Sequence, residues 1–287
     1  IFRPEGLRGI LEGNSPRYLM RGEFAILFSA ILMGTISIFV RNTGSDPIFV
    51  AFIRLSFATI FLLPFILTAK EGFRVTKLHL ALAVFNLLTI VSYINAIQQI
   101  EAGTAALLLY TAPIYVLIFA ILRGEKIEKK TLISLPLGLF GLYLMLSPYA
   151  ELNFGLISGI VSGMSYAVVF ALTKKAKDFS SFQITFFNVF FGSIMLLPYS
   201  LLNFREFPVL WAIGLGLVPT AIPFTLFIYG VKRVKLQKAP IIALIEPVFA
   251  ILVGFLYFGE ILDTFQIIGG ILVITATSIV LTQRATS

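Results

Sequence analysis

SYINAIQQIEAGTAALLLYTAPIYVLIFAILRGEKI, from Ser92 to Ile127, and FTLFIYGVKRVKLQKAPIIALIEPVFAILVGFLYFGEIL, from Phe224 to Leu262, are two versions of one segment. Each has a proline halfway through an apolar run, and Pro113 and Pro247 lie 134 residues apart. The same offset takes Pro64 to Pro198, Phe52 to Phe186 and Ala105 to Ala239. A chain duplicated in this way, with hydrophobic runs interrupted at matched places, points to a membrane transporter and to the neighbourhood of its binding site.

Composition agrees with a membrane class. Apolar residues make up 58% of the 287, charged residues 13%, and the mean hydropathy is +0.97; soluble domains are far more polar. The net charge of +8 would suggest nucleic acid in a soluble protein, but the basic residues fall in short loops between apolar runs. The absence of cysteine excludes disulfides, thiol catalysis and thiolate metal sites. The lone histidine, His79, opens an apolar run, which suits an interfacial residue better than a proton relay. No cleavable signal is evident in the mixed, polar first residues.

Ten runs are long enough to cross about 30 Å of hydrocarbon: 24–40, 48–68, 78–97, 102–122, 132–148, 154–173, 182–202, 210–229, 239–258 and 265–282. With the N-terminus inside, all but three of the 22 basic residues fall on the cytoplasmic side. The exceptions are Arg41 and Arg205 outside and Arg54 within a span. Five spans per half is an odd number, so the second half enters upside down. The loops agree: QQIEAG, without a basic residue, is outside, and its counterpart KRVKLQK is inside. RGEKIEKK is inside and its counterpart FGEILD is outside. The expected fold is all-α integral membrane, ten transmembrane helices as two inverted five-helix repeats with both termini cytoplasmic. The expected divisions are a tail at 1–22, a first repeat at 23–149 and a second at 150–284. In the tail, Leu7, Ile10 and Leu11 beside Arg8 make a weak apolar stripe, which suits either a short surface helix or a flexible segment.

The residues resemble the drug/metabolite transporter superfamily, specifically its EamA-type ten-helix permeases. The resemblance rests on PVFAILVGFLYFGEILDTFQIIGGILVITATSIVL in the second half, its equivalent YTAPIYVLIFAILRGEKI in the first, and the arginine in FIRLSFA. It implies a small-solute permease, in many members an exporter of amino acids or related metabolites. It also implies a central cavity lined by helices 1, 3, 4, 6, 8 and 9.

Charged groups inside a membrane are expected to be functional. Glu246 lies near the centre of the ninth span, directly before Pro247. It suits proton handling or an amino group, or a structural pair within the bundle. Arg54, in the second span, suits structural or gating duty better than substrate contact. The repeat aligns Glu246 with Ala112 and Arg54 with Asn188, so the two halves differ in chemistry. Pro113 and Pro247 each remove a backbone hydrogen bond and bend their helices. Tyr110, Thr111 and Tyr115 surround Pro113, and the cavity helices add Ser92, Tyr93, Asn95, Ser165, Tyr166, Thr225 and Tyr229. The expected binding set is therefore Glu246, Tyr110, Tyr115, Tyr93, Asn95, Tyr166, Ser165 and Tyr229, with Pro113, Pro247 and Arg54 as bending or gating residues. Gly155, Gly159 and Gly163 repeat at the spacing of close helix packing.

The expected function is a secondary transporter, working by alternating access, for a small amino-acid-like metabolite across the cytoplasmic membrane. The alternative is an exporter of organic cations or drugs. A membrane enzyme fits poorly, because Asp46, Asp178 and Asp263 fall in loops and one histidine cannot build a metal site; a non-transporting sensor or scaffold fits poorly with duplicated broken helices. No cofactor and no nucleic-acid partner is expected; the partners are a small-molecule substrate and the bilayer. A monomer and a homodimer both remain open.

Overall fold

The computed structural model describes residues 16–43, 46–68, 74–100, 102–146 and 153–282; the stripe around Arg8 lies outside them. Ten helices among the described residues are long and apolar enough to cross a membrane. They are α1 (Arg21–Thr43), α2 (Pro47–Leu67), α3 (Lys77–Ala96), α4 (Thr104–Leu122), α5 (Lys129–Leu146), α6 (Phe154–Lys175), α7 (Ser181–Leu202), α8 (Val209–Arg233), α9 (Ala239–Phe258) and α10 (Thr264–Leu281). The helix leading into α1 already begins at Pro16, inside the stretch expected to be a tail.

Start signals in the sequence account for several helix ends. Asp46 accepts from the amides of Ile48 and Phe49 at 2.9 and 3.0 Å, and Ser180 accepts from Gln183 N at 3.1 Å. These caps satisfy first-turn donors of α2 and α7, and they stand at equivalent places in the two halves. Asn153 does the same for α6 through Leu156 N at 3.0 Å. The outer surface is apolar, with Leu122, Leu202, Leu210 and Leu256 among its most exposed residues. Such a surface is suited to lipid rather than water.

Packing follows the duplication. α3 packs on α6 as α8 packs on α1, and α4 packs on α6 as α9 packs on α1. α2 pairs with its own counterpart α7, and α5 with its counterpart α10. Swapping the halves therefore leaves the contact pattern in place. Polar side chains are few, so close backbone approach carries much of the contact. At the α5–α10 crossing, a Cβ added to Gly141 would stand 2.7 Å from the carbonyl of Gly269 and 2.9 Å from Leu272 Cβ. Gly163 likewise leaves room for the Leu108 carbonyl and the Thr111 hydroxyl of α4, consistent with the packing role read from its spacing.

Besides a one-residue break in α1 at Thr35, between Pro16–Gly34 and Ile36–Thr43, three helices important to the site are interrupted. α4 breaks at Tyr110 and Thr111, between Ala102–Leu109 and Ala112–Leu122. α9 breaks at Leu244, between Ala239–Ala243 and Ile245–Phe258. The two breaks fall at equivalent positions, just ahead of Pro113 and Pro247. Leu108 O is taken by the Thr111 amide at 3.2 Å and its hydroxyl at 2.5 Å. Ile241 O is taken by Leu244 N at 3.2 Å and by the Thr277 hydroxyl of α10 at 3.4 Å. The third interruption is a π turn, Leu217–Ala221, inside α8. It has no counterpart in α3, whose helix is continuous over Lys77–Gln99.

Substituting Gly141 by valine should lower stability by about 1–3 kcal/mol through overpacking, seen as a lower melting temperature in detergent. Gly270→Ala is the control, because its added Cβ meets nothing nearer than Val248 Cγ1 at 3.8 Å. Its melting temperature should stay unchanged or rise slightly.

Candidate functional site

The interrupted helices surround a cavity of about 320 Å³. α1 contributes Met33, Gly34 and Ile36; α3 contributes Asn86, Thr89, Ile90 and Tyr93; α4 contributes Tyr110. Tyr166 comes from α6, Phe224 from α8, and Glu246 with Pro247 from α9. α2 and α5, not among the helices the resemblance implied, add Arg54 and Leu146.

Glu246 stands in the first turn after the α9 break. Its backbone lies against α1 at Gly34, where an added Cβ would come within 3.0 Å of Glu246 O and 2.8 Å of Phe249 Cβ. The carboxylate interacts with the Tyr110 hydroxyl, from the equivalent break in α4, and feels the charge of Arg54. No ion pair within 4.0 Å joins Arg54 to Glu246. The two charges therefore share the cavity without forming a direct pair.

Arg54 is held on the π turn of α8. Its Nε donates to Thr220 Oγ1 at 2.8 Å and its Nη2 to the Pro219 carbonyl at 3.1 Å. The guanidinium also lies 5.1 Å from the centre of the Phe224 ring. Thr220 passes the bond on by donating to Leu215 O at 2.7 Å. A guanidinium has five N–H donors, and these two bonds leave three facing elsewhere. Arg54 thus has a structural task and unspent donors at the cavity wall.

Of the residues expected from the sequence, Glu246, Tyr110, Tyr93, Tyr166, Pro247 and Arg54 share this cavity. Tyr115, Asn95, Ser165, Tyr229 and Pro113 do not line it. Asn95 donates to Ser158 Oγ at 2.6 Å and accepts from Gln99 Nε2 at 2.9 Å, tying α3 to α6. Tyr229 lies beneath the Arg233 guanidinium, 3.4 Å from its ring centre. Ser165 is buried one residue from Tyr166, about 100° around the helix, so the two cannot face the same way. Tyr115 packs against the main core, and Pro113 is buried behind the break it causes. His79 is buried between Phe179 and Phe187, with ring centres at 4.5 and 5.0 Å, and its Nδ1 caps the start of α3 through Thr76 N at 3.2 Å. It is a packed capping residue at the start of α3.

Asn86, Thr89, Phe224 and Met33 were not singled out from the sequence. Asn86, Thr89 and Tyr93 form an i, i+3, i+7 stripe, which puts them on one face of α3. That pattern was available in the sequence.

Both ends of the bundle carry charged contacts, of different depth. At the end holding the loop after α8, Lys235 pairs with Glu128. Lys238 lies 3.4 Å from Glu23 and 3.9 Å from Glu128. Gln237 accepts from Glu128 N at 3.1 Å and donates to Lys126 O at 3.0 Å. Lys174 donates to carbonyls at the C-terminus of α8, including Lys232 O at 3.1 Å. At the other end, Arg41 reaches Glu260 at 2.7 Å with both side chains half exposed, and lies 4.0 Å over Phe258.

A polytopic helical protein with matched helix breaks around a central cavity containing separated acidic and basic groups has the architecture of a small-solute transporter. The EamA-like transporter family model matches residues 20–147 and 153–282, and the chain belongs to that family. An uncharacterized transporter of Archaeoglobus fulgidus is 56% identical over 92% of this chain and 97% of its own. A protein of Streptantibioticus cattleyicolor named "Probable terminal-alkyne amino-acid exporter" is 24% identical over 63% of this chain and 65% of its own. A solved crystal structure has a TM-score of 0.78 over 91% of this chain and 98% of its own, at 16% identity; it bears on the fold alone.

Removing one buried partner costs more than losing an exposed pair. Glu128→Ala, which leaves buried Lys238 with fewer partners, should destabilise by about 3 kcal/mol. Arg41→Ala should change stability by less than about 1 kcal/mol. Melting of both variants in the same detergent checks the difference.

Proposed function

We propose that the protein is a secondary transporter that moves zwitterionic, amino-acid-like metabolites across the cytoplasmic membrane by alternating access. The observation that carries this reading is a cavity offering one guanidinium and one carboxylate that do not pair with each other. A zwitterion bridges such groups, its carboxylate on the free donors of Arg54 and its ammonium on Glu246. Tyr93, Tyr110 and Tyr166 supply aromatic faces and hydroxyls around the same space, favourable for an ammonium group. An organic cation would use Glu246 but would meet Arg54 as a like charge, so that alternative is disfavoured. The name of the Streptantibioticus cattleyicolor relative points in the same direction.

The halves, 23–149 and 150–284 after the stretch 1–22, rock as inverted repeats about the cavity. The charge-swapped loops and the contact pattern preserved on exchanging the halves support this. The basic residues of the loops support cytoplasmic termini. Because the chain has no cysteine, single-cysteine variants test this without background. In right-side-out cells, a membrane-impermeant maleimide should label Glu206→Cys and leave Glu125→Cys unlabelled. The reverse pattern would invert the topology.

Uptake of radiolabelled amino acids into proteoliposomes tests the substrate reading. Glu246→Gln should cut transport at least tenfold while leaving melting within a few degrees of the wild type. Arg54→Lys keeps the charge but loses the fork that spans Thr220 and Pro219, and should cut transport similarly. Full activity in Glu246→Gln would sink this assignment.

A further inference from the structure

Beyond the main cavity lies a second space of about 40 Å³ that shares Met33, Asn86, Tyr166 and Phe224 with it. It ends between Thr173, near the C-terminus of α6, and Asn188, two turns into α7. Both residues are almost wholly buried, Asn188 at 4% and Thr173 at 1% exposure. Asn188 Oδ1 and Thr173 Oγ1 have no hydrogen-bond partner. Buried polar atoms are nearly always paired, so two orphans facing one small space are unusual. Asn188 is also the residue that the duplication aligns with Arg54. One half thus presents a guanidinium to the main cavity, and the other presents a neutral amide to this annex.

The annex's size and chemistry limit what can enter. A water molecule occupies about 30 Å³ in the liquid, so the annex suits ordered water or the small end of a substrate. Among the described residues its wall carries no charged side chain: Met33, Val169, Phe224, Phe227 and Ile228 join Asn86, Tyr166, Thr173 and Asn188. An ion or a charged substituent would lie there uncompensated. A neutral donor–acceptor group can displace water and reproduce its bonds. An apolar group of the same size strands the amide and the hydroxyl.

We propose that the annex is a selectivity subsite, in which a hydroxyl or carboxamide at the end of the substrate's side chain pairs with Asn188 and Thr173. It rests on the amino-acid reading above, with Glu246 and Arg54 holding the charged ends in the main cavity. Discrimination comes chiefly from rejecting the apolar isostere, as in sites built to bond a substrate hydroxyl.

The test is uptake into proteoliposomes of near-isosteric pairs, L-threonine against L-valine and L-asparagine against L-leucine, by wild type, Asn188→Leu and Thr173→Val. The wild type should prefer the polar member of a pair about tenfold. Each variant should reduce that preference to about twofold or less, by gaining uptake of the apolar member as well as losing the polar one, with melting temperature retained. Thr173→Val is a near-isosteric change that keeps the test valid if Asn188→Leu folds poorly. Preference unchanged in both variants overturns the subsite, as does a uniform fall in uptake of all four substrates. Wild-type transport of amino acids with no polar preference overturns the subsite alone. Wild-type failure to transport any of the four overturns the amino-acid reading with it.

Discussion

Hydrocarbon offers no hydrogen bonds, and the site depends on how this chain breaks helices inside it. Each interruption frees carbonyls or amides that must find partners within the protein. α4 uses the Thr111 hydroxyl on Leu108 O, and α9 borrows Thr277 from α10 for Ile241 O. The π turn of α8 recruits Thr220 and Arg54. A guanidinium so deep is costly, and part of that cost is offset because the broken backbone supplies its acceptors. The break and the charge therefore explain each other: Arg54 holds the turn open, and the turn keeps Arg54 at the cavity wall.

Duplication supplies a frame whose two halves have diverged where chemistry is needed. The helix caps Asp46 and Ser180 occupy equivalent positions and do the same work. So do the breaks at Tyr110 and Leu244, although one brings a phenol and the other a leucine. Glu246 faces the cavity where its counterpart is Ala112. Arg54 and Asn188 line adjoining spaces. A symmetric scaffold with identical halves would present like groups in pairs. Replacing one member of each pair separates an acid, a base and a neutral amide within one connected region.

Much of the fold was legible because hydrocarbon imposes a coarse rule: about twenty apolar residues per span, interrupted by short loops. Prolines and the repeat offset then located the breaks in α4 and α9. The cavity's lining was legible where a charge or a break marked it, as at Glu246, Pro247 and Tyr110. It was not legible where helix phase decides, because a list of polar residues ignores direction. Ser165 and Tyr166 are neighbours in sequence and point to different places; Asn95 holds two helices together instead of facing the cavity. The π turn of α8 was not legible, because Pro219 and Pro223 have no matching pair in α3 and a repeat offset marks only the breaks that both halves share.

Under the alternating access proposed above, the two ends of the bundle set a further constraint. The Glu23–Lys238–Glu128 contacts are buried, and Gln237 and Lys174 bind carbonyls around them. The Arg41–Glu260 pair is half exposed, where such a bond contributes little. Opening the first end separates charges that water must then solvate, while opening the second costs far less. Two states that interconvert in a working cycle must differ by only a few kcal/mol. Hydration of the freed lysines and glutamates therefore has to repay most of the broken network, and their place at the bundle's end, with Glu128 and Lys238 in loops and Glu23 near the start of α1, lets water reach them. Had the same network been built around Glu246, no such repayment would be available. Glu246 and Arg54 are left without a direct pair, and the paired charges are kept where water can replace their partners.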